Sequence, residues 1–452
     1  MIDDAATSAS FDPQSASAGE KDFAEVLDIA QTLIRFDTSN HGVDNAVVET
    51  PAAEYVMDLF HEVGMTPEWI ESEPGRPSVV VRMKGRDPKR DALVVHGHLD
   101  VVPAMAEDWS VDPFGAVIKD GMLWGRGAVD MKNMDAMILA VVREMARTGY
   151  VPPRDLVIGM FADEEAGGQK GAYWLVKNRP DLFEGATEAI SEVGGYNTHV
   201  DGKRVYLLQT AEKGLIWYNL LAKGTAGHGS QVNEDNAVTK LATALAAIGA
   251  EPWPLQLTDT VRELLSGVSE LTGLPFDPED PATIDRLIDA LGPAKRFVGA
   301  TIRTGSNPTM LGGGYKVNVI PQVATGGVDV RPIPGTEEDV RRRMKELAGD
   351  VELHPVHDDG GIEVPFSGAL VDSMVAALQA EDPGATVLPY MLSAGTDNKA
   401  LSRLGIRGYG FAPVQLPEGM DFPAMFHGVD ERIPVDSLYF GSRVLDRFLR
   451  TC

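Results

Sequence analysis

Three short stretches of this chain concentrate imidazole and carboxylate side chains. Residues 94–103 place His98 and Asp100 at the end of an apolar run, residues 125–132 carry Asp130 behind a Gly-x-Gly turn, and residues 161–165 close a second apolar run with Asp163, Glu164 and Glu165. Imidazole and carboxylate donors without thiolate suit a hydrolytic site for zinc or a related divalent cation. The same carboxylates offer a general base, so the pattern points to hydrolysis.

Each residue also has a plainer reading. His98 and Asp100 stand two apart at a strand end, where alternation puts both on one side. His98 can ligate a metal while Asp100 accepts its other ring N–H, or the pair can form a hydrogen-bonded turn. His96 lies inside the strand and reads as a core histidine. Asp130 precedes a Met-rich helical pattern, where Asp is ordinarily an N-cap; in a metal site its two oxygens can bridge two cations. Gly125 and Gly127 then serve close backbone approach, since no G-x-G-x-x-G phosphate loop follows a strand here. Glu164 and Glu165 repel one another unless a cation or proton intervenes. One can bind metal while the other takes a proton from water; the alternative is a solvated acidic loop. Glu192, after the apolar run 188–191, and His427, in a short loop before the last helix, say little singly and gain meaning from the other three.

The elements that must position these groups follow from hydrophobic periodicity. Runs at 92–96, 156–162 and 188–191 predict buried strands, and 131–147 predicts a helix with Met134, Met137, Ile138, Val141, Val142 and Met145 on one face. Strand–helix alternation predicts an α/β fold with a mixed sheet, whose strand ends gather ligands. From about residue 213 the pattern changes to strand 215–223, helix 237–248, strands 316–320 and 327–331, helix 337–347 and return strand 361–364, the order of a ferredoxin-like α+β unit. The expected organisation is a metal-binding catalytic domain over 21–212 and 365–452, split by an insert over 213–364. The Pro- and Asp-rich stretch 251–296 is expected as an elaboration of that insert, and strand 404–411 and helix 435–449 complete the catalytic domain.

Composition narrows the function classes. The 452 residues are 44% hydrophobic and 24% charged, an ordinary globular mixture long enough for two or three domains. A formal charge of −27 argues against nucleic acid, whose phosphates need a basic footprint. The single cysteine, Cys452, excludes an internal disulfide framework and a thiolate zinc site, and a reducing cytoplasm is the natural reading. Residues 1–20 lack a basic start and an apolar core and are expected as a disordered tail. No run approaches the roughly 18 apolar residues of a membrane span.

Taken in order, His98-x-Asp100, Gly127-x-x-Asp130-x-Lys132, Asp163-Glu164-Glu165, Ser191-Glu192, Gly395-Thr396-Asp397 and Phe426-His427-Gly428 resemble the dizinc exopeptidase family that includes glutamate carboxypeptidase, aminoacylase and succinyl-diaminopimelate desuccinylase. The resemblance covers nearly the whole chain from about residue 23. It implies a dizinc-peptidase catalytic domain with an inserted ferredoxin-like lid and dimerisation domain. It also implies two Zn2+ per chain, with Co2+ or Mn2+ as substitutes. Asp130 would bridge them, His98 and Glu192 would complete one site, and Glu165 and His427 the other. Asp100 would orient His98, and Glu164 would be the general base. The loop Ala226-Gly227-His228-Gly229-Ser230 resembles the family's histidine loop, which implies that His228 polarises the scissile carbonyl from the partner subunit of a homodimer. Asn318-Val319-Ile320-Pro321 with Asp329-Val330-Arg331 resembles its substrate-carboxylate site. Arg331 would then clamp a carboxylate bidentately, helped by the Gly395 N–H, or it is a surface ion pair. The implied activity is cleavage of an amide bond beside a free carboxylate in a small peptide, of carboxypeptidase or dipeptidase type. The alternatives are an N-acyl-amino-acid deacylase, a ureido-type amidase and a catalytically inactive binding protein. The stretch 251–296 departs from the compact family form.

Overall fold

The computed structural model describes residues 23–42 and 48–452, and the tail expected over 1–20 lies outside them. An uncharged run such as Leu93-Val94-Val95 is satisfied only by cover on both faces. It forms the strand Ala92–His98, buried at every position. Two parallel neighbours flank it, Leu156–Phe161 and Ala186–Ser191, with His98 opposite Phe161 and Val95 opposite Ile190. These three strands sit within a 10-stranded sheet. The sheet is mixed: Pro77–Met83 is antiparallel to Leu156–Phe161, whereas Arg407–Gly410 is parallel to Ala186–Ser191. Thr386–Leu392 runs parallel to Lys203–Glu212.

The helix Lys132–Arg147 carries its six expected apolar residues inside and buries Lys132, Asn133 and Asp135 as well. It is enclosed by the sheet and by the helices Glu25–Arg35 and Val435–Thr451. A second, four-stranded antiparallel sheet runs in the spatial order Gly305–Gly313, Val323–Arg331, Leu215–Lys223, Glu352–Asp359. Helices Ala237–Gly249 and Glu337–Ala348 cover one face of it through a separate buried cluster that includes Ile216, Tyr218, Leu241, Val328 and Met344. Along the chain this is the strand-helix-strand-strand-helix-strand order read from the sequence.

Three expectations need correction. The strand predicted at 316–320 shrinks to Val319–Ile320, paired with Gly227–His228 outside the four-stranded sheet. The place in that sheet belongs to Gly305–Gly313, whose glycines and Pro308 hide its strand character; the register shifts at Pro308. The predicted return strand 361–364 pairs, as Ile362–Glu363, with Lys203–Glu212 of the large sheet. The insert's closing strand is the polar Glu352–Asp359, mostly exposed and without apolar alternation. Finally, most of 251–296 belongs to the large core. Val261, Leu264, Leu265 and Val268, with Ile284, Leu287 and Ile288, make apolar faces on helices Asp259–Thr272 and Pro281–Asp289. They pack in the same buried cluster as Leu207 and Tyr390. Only its start leans on the insert, where Trp253 Nε1 donates to Ser306 Oγ at 2.8 Å.

Candidate active site

Three adjacent parallel strands end together, which brings distant residues to one edge. Ala92–His98 delivers His98, the turn after Leu156–Phe161 delivers Glu164 and Glu165, and the turn after Ala186–Ser191 delivers Glu192. Asp130 arrives at the start of the buried helix and His427 from a C-terminal loop. The side chains converge: His98 Nε2 lies 3.3 Å from Asp130 Oδ1, 3.7 Å from Glu192 Oε2 and 3.9 Å from Glu164 Oε2. On the other side of Asp130, His427 Nε2 lies 3.3 Å from Oδ2 and 3.1 Å from Glu165 Oε2. Asp130 thus faces one imidazole with each oxygen. The N-cap alternative is not realised: the helix cap is Met131, and no side chain caps it. Asp163, Val193 and His427, all beside the cluster, hold positive φ of 67°, 55° and 56°, conformations that non-glycine residues seldom keep without a surrounding constraint.

Asp100 supports this cluster in a way the sequence did not suggest. His98 Nδ1 meets the main-chain oxygen of Asp100 at 2.9 Å, closer than the 3.4 Å to its carboxylate. The carboxylate instead accepts the backbone N–H groups of Glu164 and Glu165, both at 3.1 Å, and the Asn40 amide at 2.8 Å. His96 is the core histidine expected. Its Nε2 lies 3.0 Å from Asn398 Oδ1, and burial pulls its ring down to about 4.

Electrostatically the cluster is crowded with like charge. Burial and the Glu192 carboxylate push Glu164 well above the ordinary carboxylate range, and burial pushes Glu192 up to about 8. Burial raises Asp130 less than His427 and His98 lower it, so it stays ionised. The bonds from Asp130 and Glu165 lift His427 to about 10. Carboxylates forced together so that protons must intervene are the arrangement a bound cation relieves. The ligand atoms of His98, Asp130 and Glu165 lie within 4.8 Å of one another, as do those of His98, Glu164 and Glu192. Two imidazoles with carboxylates and no thiolate fit zinc, manganese or cobalt.

Asp130, Glu164, Glu165, Glu192 and His427 line a cavity of about 320 Å³, with His98 buried behind them. Arg331 and Gly395 line it too. The Arg331 guanidinium is paired with Asp329 of its own strand, Nε to Oδ1 at 2.7 Å and Nη2 to Oδ2 at 3.0 Å. That fork uses one edge of the guanidinium and leaves Nη1 and the second Nη2 hydrogen as donors. His228 and Asn318 are not brought to this cavity. Both are exposed, and His228 Nδ1 meets Ser230 Oγ at 2.8 Å.

Sequence reading missed the groups that hold the loops. Glu431 is fully buried and accepts from Arg126 Nη1 at 2.7 Å and from the backbone N–H of Gly127, Val129 and Asp130 at 2.6–3.1 Å. Buried Glu212 accepts the Thr396 hydroxyl at 2.7 Å and its N–H at 3.0 Å, fixing the Gly395 loop. Lys399 also lines the cavity and donates to the Lys213 carbonyl. Neither Glu431 nor Asn40, Glu212 and Lys399 offered a signal in the sequence.

The chain is 29% identical over 403 residues to the N-fatty-acyl-amino acid synthase/hydrolase of Homo sapiens, covering 85% of this chain and 78% of the relative. It is 26% identical over 399 residues to aminoacylase-1 of Sus scrofa, covering 84% and 85%. An M20 family metallo-carboxypeptidase of Sulfolobus solfataricus shares the fold, with a TM-score of 0.74 at 16% identity over 94% of this chain and 99% of that one. The family model for peptidase family M20/M25/M40 matches residues 94–451, from the strand that carries His98 to the last helix, and the chain belongs to that family.

Proposed function

We propose that the protein is a two-metal amidohydrolase that cleaves an amide bond next to a free carboxylate, of carboxypeptidase or dipeptidase type. One observation carries the reading: Glu164 and four of the five ligand-type side chains line a single cavity that also presents Arg331, with the fifth, His98, buried against Asp130. His98 and Glu192 would hold one Zn2+ and Glu165 and His427 the other, with Asp130 shared between them and Co2+ or Mn2+ as substitutes. When bound, the metals supply Lewis acidity and make water a stronger acid. Glu164 takes the proton of the attacking water and returns it to the leaving amine. Asp100 fixes the Glu164–Glu165 turn and the His98 ring, while Arg331 and the Gly395 N–H hold the substrate carboxylate.

His228 acts in the second copy of a homodimer formed through the insert, where it polarises the scissile carbonyl. Its exposure away from its own cavity supports this, as do Met310 and Leu311, exposed on the edge strand Gly305–Gly313. Cytoplasmic action is supported by a chain with one cysteine. N-acyl-amino-acid deacylation is the second reading, favoured by the apolar part of the cavity wall.

Elemental analysis after reconstitution, together with hydrolysis of a panel of dipeptides and N-acyl amino acids, tests the proposal. Two metal ions per chain and hydrolysis dependent on them are expected; full activity in chelator with no bound metal would overturn it.

A further inference from the structure

Two polar side chains of the insert, Arg331 and His357, line the cavity from the strands that flank Trp217. On the strand Leu215–Lys223 between them, Leu215 and Trp217 line the cavity, while Ile216 and Tyr218 are buried under the helices. One neighbour, Val323–Arg331, sets Asp329 opposite Trp217, and the other, Glu352–Asp359, sets His357 opposite it. Asp329 pairs with Arg331 two residues on. His357 pairs likewise with Asp359, its Nε2 lying 2.5 Å from Oδ2, and both side chains are only 8% exposed.

A bulge aims this imidazole. Leu353 packs toward the helix-covered face, and in a regular strand His357, four residues on, would follow it there. The register shifts instead between Trp217 and Tyr218, whose partners are His357 and Pro355, leaving Val356 as the extra residue. His357 is thereby turned toward the cavity.

The pair also reaches across to the catalytic unit. Asp359 Oδ1 lies 2.5 Å from Nη2 of Arg403, the residue that ends helix Asn398–Ser402. The same guanidinium sits 4.3 Å from the centre of the Tyr173 ring. Burial raises the Asp359 carboxyl less than His357, Tyr173 and Arg403 lower it, to about 2, so it stays ionised. The His357 and Tyr173 rings meet edge-to-face at 6.5 Å beside the turn that carries Glu164 and Glu165. A Cβ on Gly167 would lie 3.4 Å from His357 Cε1, and one on Gly168 3.4 Å from Tyr173 Cδ2. The Gly167 N–H in turn donates to the Glu164 carbonyl at 2.7 Å.

From this juxtaposition we infer that His357 is a positioning residue: paired with Asp359 and anchored by Arg403, it seats the insert on the Glu164–Gly168 turn and so sets where Arg331 stands relative to Glu164. Its effect on turnover rests on the amidohydrolase reading above; the seating itself does not. Arg331 rides on the insert and Glu164 on the catalytic unit, so an error in seating misplaces the substrate amide against the base, and a shift near 1 Å can cost about 10²-fold in rate.

The test uses His357→Phe, which keeps a ring and loses the Nε2–H. With metal-reconstituted enzyme and a substrate bearing a free carboxylate, kcat/KM should fall about tenfold. In an Arg331→Ala background the same change should cost less than about threefold, because no clamp remains to be misplaced. Amide hydrogen exchange over 164–171 in the metal-loaded protein should quicken about tenfold, while helix Ala237–Gly249 of the insert keeps its wild-type protection. Arg403→Gln, at a side chain half exposed, should act in the same direction and serves if the phenylalanine variant does not fold. Losses that simply add in the double variant, or unchanged exchange over 164–171, would overturn the seating. A wild type inert on every dipeptide and acyl amino acid would overturn the amidohydrolase reading instead, and exchange alone would then decide the seating.

Discussion

The carboxylate of Glu431 receives the backbone N–H of Asp130 at 3.1 Å, and thereby ties the loop of one candidate metal ligand to the loop of another, His427. A carboxylate can accept all four of the donors gathered there, whereas an amide would turn its own NH2 toward some of them.

Glu431→Gln is therefore expected to loosen the Asp130 turn without touching a ligand. Partners of ligands typically contribute 10–100-fold in metal affinity, so competition with a chelating dye should report weaker binding by about that factor. Unchanged affinity would show that the turn holds itself.

Glu164→Gln keeps shape and removes basicity. Turnover should fall by about 10²–10⁴-fold, while elemental analysis still finds the wild-type metal content. Near-normal turnover would transfer the proton role to another group.

Arg331→Ala should lower kcat/KM on a substrate with a free carboxylate by about 10–150-fold, the equivalent of about 1.5–3 kcal/mol for a hydrogen bond to a charged group. The same variant should lose little further on the C-terminally amidated substrate. Equal losses on acid and amide would separate Arg331 from carboxylate recognition. Asp329, which holds the other edge of the guanidinium, gives a check: Asp329→Asn should raise KM more than it lowers kcat.

Lys213 makes stability depend on pH. Burial, and secondarily the charge of Arg331, pull its amine down to about 7, against about 10.4 in an unfolded chain. Between those values the unfolded state binds the proton and the folded state does not, so Lys213 makes stability rise with pH across that window, by at most about 1.4 kcal/mol per unit. Denaturant unfolding at intervals from about pH 7 to pH 9 should show wild type gaining on Lys213→Met. Parallel profiles would contradict it.

The sequence made legible what depends on local pattern. The Leu93–Val95 run announced a buried parallel strand, and the Met-rich stretch announced the helix behind it. Because strand ends are legible, so was the meeting of His98, Glu164, Glu165 and Glu192. The misplaced elements, Gly305–Gly313 and Glu352–Asp359, lack apolar alternation because they lie at the edges of a half-covered sheet. The packing of 259–302 against the large sheet escaped notice because amphipathic helices advertise a buried face and not its partner. Glu431, Glu212 and Asn40 act only on backbone or amide groups brought near by folding, so no spacing in the sequence marks them.

The cluster gathers side chains from positions 98 to 427, with Glu431 later still. A ribosome releases the early strands well before the closing loop, so a growing chain carries five of the six side chains, with their carboxylates unmatched, until the His427 loop emerges. The proposed centre is therefore completed late in synthesis and in a single step. For the same reason, truncation before His427 should abolish hydrolysis, and it would also strip from the large core the helix Val435–Thr451 with Leu438, Phe440, Val444 and Phe448.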